Sequence, residues 1–231
     1  MKRPDPSRAS RLLLLGLVFL VLPAMTIALV ASRMDGEGSS AATLSSEGRG
    51  APPPQPLAPD ESYVRTVVLP SGDLRVTHWI ESSATLLDIG LSLPAVTGAA
   101  GVEARNVRVL ADGRRVSGTA RITTVPASYP LLGARSVQVR YRLKGAVERS
   151  GASAPGRALA LVTALDVTHE PPPQRVVRAI LAPEVLSLAC APAVAEGAPE
   201  PCGALGPDGG WTVERAGARV DDRVLAQVSL R

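Results

Sequence analysis

Residues 12–31, LLLLGLVFLVLPAMTIALVA, form an uncharged run broken only by Gly16, Pro23 and Thr26. Twenty residues rising ~1.5 Å each as a helix reach about 30 Å, the thickness of a bilayer's hydrocarbon core. Backbone groups in lipid must bond to one another, so a lone span there has to be a helix. Lys2, Arg3, Arg8 and Arg11 precede the run against one acid, Asp5, whereas Asp35 and Glu37 follow Arg33 on the other side. The basic flank belongs inside. The expectation is a cytoplasmic tail (1–11), a transmembrane signal anchor (12–31), and everything beyond it extracytoplasmic at the cell membrane. The alternative is a cleaved signal peptide and a secreted chain. Signal cores are typically ~7–15 residues, shorter than this run.

Those first eleven residues carry three of the chain's four net positive charges, so the rest is close to balance. A near-balanced exterior is not the clustered Lys/Arg surface that nucleic acid requires, and no nucleic-acid partner is expected. Lysine occurs only at Lys2 and Lys144, so arginine supplies almost all positive charge. Aromatics are 3 % of the chain. A core must therefore come mainly from Val, Leu, Ile and Ala.

Residues 32–61 read as a linker, first small and polar, then proline-dense at APPPQPLAP. The first part suits flexible coil, and the second a stiffer polyproline spacer. From Tyr63 to Arg231 the pattern becomes short runs of β-formers bounded by turn residues. YVRTVVL and LRVTHWIE flank Pro70-Ser71-Gly72-Asp73, which predicts a hairpin. A second hairpin is predicted around Asp112-Gly113, a pair that accepts the positive φ angles of a tight turn. Val137, Val139, Tyr141 and Leu143 alternate with Gln138, Arg140 and Arg142, a strand with one wet face. RVVRAILAPEVLSLAC reads as one or two strands broken near Pro183, and RVLAQVSLR as a last one. This pattern, without a sustained helical period, predicts an all-β domain over 62–231: an antiparallel β-sandwich, immunoglobulin-like in architecture.

YVRTVVLPSGDLRVTHWIE, followed downstream by VQVRYRLKGAV and an apolar run, resembles the exported β-domain of bacterial predicted membrane proteins of unknown function. The likeness covers roughly residues 62–190. This chain departs from that pattern at Thr77-His78, where an acid is expected. The resemblance implies no catalytic residues.

Cys190 and Cys202 are the two cysteines, and an even pair outside the cytoplasm predicts a disulfide. Two thiols without a neighbouring histidine do not make a zinc site, so neither a metal nor another cofactor is expected. His78 and His169 are the only histidines. Asp166, His169 and an unidentified serine would compose a hydrolase triad, but no G-x-S-x-G elbow is present. Both histidines read more simply as ordinary strand or surface residues. Asp221-Asp222 and Asp208-Gly209-Gly210 lack calcium-loop spacing. Arg140 and Arg142, with Arg135 nearby, form a basic row on a wet strand face, and Trp79 is expected to be buried. No catalytic centre emerges. The function expected is a binding or scaffolding module at the cell envelope that meets an envelope protein or a cell-wall polymer, with an envelope hydrolase as the alternative.

Overall fold

The computed structural model describes residues 50–96, 101–151, 156–193, 197–206 and 209–230, all within one compact unit, Glu47–Arg231. The expected tail and membrane helix, and linker residues 32–49, lie outside the described residues. No helix among the described residues is long and apolar enough to cross a membrane.

Strands run in chain order as β1 (Glu61–Val68), β2 (Leu74–Ser92), β3 (Glu103–Ala111), β4 (Arg114–Val116), β5 (Arg121–Ile122) and β6 (Ala127–Lys144). Then come β7 (Val147–Arg149), β8 (Arg157–Ala160), β9 (Asp166–Thr168), β10 (Arg175–Leu181) and β11 (Glu184–Ala191). The last are β12 (Glu200–Pro201), β13 (Ala204–Leu205), β14 (Trp211–Ala216) and β15 (Arg223–Ser229). A ten-stranded sheet has the path β13-β14-β10-β1-β2-β6-β3-β4, with β5 on β3 and β9 on β2. A five-stranded sheet has the order β12-β11-β15-β8-β7. Neither closes on itself, and the described residues are nearly all β, as the strand pattern predicts, with one 3-10 turn at Gly217–Arg219.

Both predicted hairpins form. Tyr63 pairs with Trp79 across β1 and β2, and Asp112 and Gly113 take φ of 46° and 75° between β3 and β4. Asp112 further fixes its turn by accepting hydrogen bonds from the backbone N–H of Arg135 and Ser136. Pro183 separates β10 from β11, and the two strands enter different sheets.

One pairing departs from the antiparallel expectation: β1 and β10 run parallel, Glu61 opposite Arg175 and Val64 opposite Arg178. The hairpin occupies one edge of β1, leaving the other for a strand that returns after a long crossover, the condition parallel pairing needs. Along β10, β1, β2 and β6, residues directly opposite point to the same side. Ile180, Thr66, Val76 and Tyr141 therefore share the inner face with Val176, Ser62, Ile80 and Val137. Leu188, Val224, Ala226 and Val228 of the smaller sheet join the same buried cluster, so the two sheets share one core. Thr66 donates its hydroxyl proton to the Thr163 carbonyl at 2.8 Å, and Thr163 in turn to that of Val224 at 2.9 Å, satisfying two buried hydroxyls.

The outer face of the large sheet has a smaller cluster of Tyr63, Trp79, Val177 and Ala179. Part of the proline-dense stretch covers it. The Ala51 carbonyl accepts from Trp79 Nε1 at 2.8 Å and Gln138 Nε2 at 2.6 Å, and Leu57 packs alongside. Trp79 is buried as expected, under this strap rather than under a second sheet. Its indole N–H needs an acceptor once buried, and the strap provides one.

The register of β3 shifts between Arg105 and Arg108, where Asn106 takes φ of 55°. A regular strand would send residues three apart to opposite faces. The extra residue of the bulge instead leaves Arg105 and Arg108 both outside while Val107 and Val109 turn inward. Asn106→Gly should keep this geometry. Asn106→Val should destabilise the domain by about 1–3 kcal/mol, because a β-branched residue resists positive φ. Urea unfolding of both variants checks it.

Candidate functional site

Two features of the sheet gather chemistry-bearing side chains. The first is an arginine groove on the outer face. Register places Arg65, Thr77, Arg140 and Arg108 in one row across β1, β2, β6 and β3. The next row along carries Arg75, Arg142, Arg105 and then Arg121 of β5. Neighbours in such a row stand ~5 Å apart, and like charges directly opposite are destabilising. Two of these arginines share Glu103, which pairs with both Arg105 and Arg121 and whose carboxyl those partners hold below its ordinary value against the effect of burial. Arg142 Nε lies 3.2 Å from Asp73 Oδ2. Among the described residues Arg65, Arg75, Arg108 and Arg140 have no acidic partner. Four of these arginines, at 75, 108, 140 and 142, line a groove of about 420 Å³ whose rim is shaped by Asn106 of the bulge. Arg135, adjacent in sequence to this set, is not in the rows. It sits where the β2–β6 register shifts, between Ala134 opposite Leu86 and Ser136 opposite Glu81. The near-balanced total charge thus conceals a clustered arginine surface, because folding segregates what a sum averages.

The second feature is a cavity of about 220 Å³ where the inner face meets β9 and the turn before β15. Parallel β10 brings Arg178 into the row Arg178, Val64, His78, so guanidinium and imidazole stand on one face two strands apart. β9 pairs with the end of β2, Gly90 opposite Thr168, which delivers Asp166 and His169 to the same place. A Cβ at Gly90 would meet Thr168 Oγ1, so any side chain there requires the threonine hydroxyl to turn away. Ser62, from the row beside His78, also lines the cavity. Both histidines, read from the sequence as ordinary residues, therefore face a shared space.

His78 is 7 % exposed, and neither of its ring nitrogens has a hydrogen-bond partner. Burial, aided by the charges of Arg178 and His169, lowers its pKa to about 3, so it is neutral at pH 7. His169 Nδ1 is likewise unpartnered. Burial lowers this second imidazole too, opposed by a hydrogen bond to the Pro171 backbone and by Asp60 and Glu170. Arg178 donates from Nη2 to the Val220 carbonyl at 3.1 Å, while its Nε has no partner. Burial shifts the guanidinium downward, yet an arginine stays charged in a protein. Asp166, at the mouth, is raised by the burial around it, with Arg178 and Arg223 pulling the other way and Asp221 adding to the rise.

A serine, two histidines and an acid share this cavity, but the hydrogen bonds of a triad do not link them. His78 bonds to nothing through either nitrogen, and the His169 Nδ1 that a carboxylate would orient stands alone. Among the described residues no group of three His, Cys, Asp or Glu side chains is placed to hold a metal ion. Cys190 and Cys202 form a disulfide, Cα atoms 5.8 Å apart, between β11 and the segment after β12.

No protein-family model and no curated protein matches the chain. Among solved structures it is similar to an aminopeptidase N family protein from Idiomarina loihiensis, at 11 % identity and TM-score 0.44, over 71 % of this chain and 29 % of that one. It is also similar to an M1 zinc metallopeptidase from Deinococcus radiodurans, at 16 % identity and TM-score 0.36, over 72 % and 41 %. The chain thus spans less than half the length of either. Likeness this partial supplies no activity.

Proposed function

We propose that this chain is an envelope binding module, anchored by residues 12–31 with its N-terminus in the cytoplasm, whose β-sandwich docks a linear polyanion along the arginine groove. The observation that carries the reading is the register that sets Arg108 opposite Arg140, with Arg75 in the adjoining row, all three without acidic partners among the described residues. A sheet tolerates that repulsion at a cost, and a polymer bearing regularly spaced phosphates or uronates removes it. A concave groove favours a single chain over a flat bilayer. The disulfide supports an oxidising, extracytoplasmic setting.

The test is binding of the full-length chain to polyphosphate, to polygalacturonate and to anionic vesicles as salt is varied. Polymer affinity should fall with salt at a log–log slope near roughly −2, three contacts at about −0.7 each. Replacing Arg75, Arg108 and Arg140 together by Gln should weaken it by about 100-fold, roughly 0.9 kcal/mol for each lost contact, the value of an ordinary hydrogen bond exposed to solvent. Replacing Arg135 and Arg157 by Gln should leave it unchanged. Equal loss in both variants, or binding to vesicles alone, would overturn the reading. Phosphate against uronate preference names the polymer.

A further inference from the structure

Arg178 is half-buried on the inner face, and among the described residues no carboxylate lies within ion-pair distance of it, although Asp166, Asp221 and Asp222 act on it through space. A charge partly withdrawn from water without an ion pair is costly, and so is each buried imidazole nitrogen without a hydrogen bond. Arg178 Nε, both nitrogens of His78 and Nδ1 of His169 all belong to residues lining the same 220 Å³ cavity. Such a concentration of unpartnered polar atoms, at least two of them N–H donors, around one positive charge suits an anionic guest, and the planar guanidinium matches a carboxylate.

The mouth has the opposite character. Asp166 and Asp221 stand there, exposed, and would repel a purely anionic guest but attract an ammonium group next to its carboxylate. Leu165, Val176 and Val220 provide an apolar wall. The volume is below the ~300–1,000 Å³ of sites for drug-sized ligands, which restricts the guest to a few heavy atoms. We propose that this cavity binds a small zwitterion, an α-amino acid, with its carboxylate on Arg178 and the histidines and its ammonium toward Asp166 and Asp221. The site is separate from the arginine groove, on the opposite face of the sheet, and stands or falls independently of it.

Isothermal titration calorimetry on the full-length chain at pH 7 with L-alanine, acetate, ethylammonium and inorganic phosphate tests the assignment. L-alanine should bind at least tenfold more tightly than acetate or ethylammonium, each of which carries half of its charge pattern. Arg178→Gln should abolish binding. Because that variant removes a half-buried charge and risks misfolding, Asp166→Asn at the exposed mouth is the companion. It should weaken L-alanine about tenfold and bind acetate at least as tightly as the parent does. No heat with L-alanine at millimolar concentration, equal affinity for acetate, or tighter binding of phosphate would each overturn the proposal. So would an Asp166→Asn variant that binds L-alanine like the parent.

Discussion

Acidification from pH 7 to pH 4.5 is expected to remove about 2–3 kcal/mol of stability through His78 alone, the product of roughly two titrated pH units and 1.36 kcal/mol per unit. In the unfolded chain this imidazole titrates at its model value of 6.5, and in the folded chain burial holds it at about 3. Between those values the unfolded state takes up a proton that the folded state refuses. Its contribution is therefore fully present above pH 6.5 and is lost as pH falls toward 3. His169, also lowered, acts in the same sense, and Asp166, raised by burial, acts in the opposite one. Arg178 holds its charge throughout and adds to the cost of a second positive group beside it. Urea unfolding at the two pH values measures the loss, and His78→Phe should flatten the difference. A parent protein equally stable at both would show that His78 is solvated or paired in solution.

Breaking the Cys190–Cys202 bridge should cost about 3 kcal/mol, the chain-entropy value for closing a loop of this length. The separation is 12 residues. The bridge closes a segment that contains no core strand: Cys190 is buried on β11, and the backbone of Cys202 bonds back to the Leu188 carbonyl. The loss should consequently appear as a lower urea midpoint of the whole domain, with the sheets still forming. Cys190→Ala with Cys202→Ala measures it without introducing a polar group into the core. An unchanged midpoint in that double variant would place the bridge outside the cooperative unit.

The two hairpins were legible because each joins uninterrupted alternation to a turn with its own chemistry. Residues 127–136 were not, since Pro130, Gly133 and the positive φ of Leu132 erase the period-two signal although the backbone stays in β6. Half of the arginine groove was visible in the alternation of Arg140 and Arg142. Arg105 and Arg108 were hidden by the bulge at Asn106, because residues three apart read as opposite faces until an extra residue intervenes. Of the histidine cavity only the nearness of Asp166 and His169 in sequence was visible, not their meeting with His78 and Arg178. That meeting depends on β10 lying parallel to β1, and long-range pairing of that kind leaves no mark on local periodicity. A further hint was a histidine on the apolar side of a strand, among Leu74, Val76 and Ile80.

That same parallel pairing constrains the order of events as the chain folds. Glu61 and Arg175 are bonded partners 114 residues apart, so the β1–β2 hairpin keeps one edge bare until the chain has been made as far as β10. An uncovered edge of this kind invites pairing with a stranger, and contacts so distant in sequence form slowly. A pause in synthesis before Arg175 would strand the domain half-built, with its guanidinium rows already on display and its cavity not yet in existence.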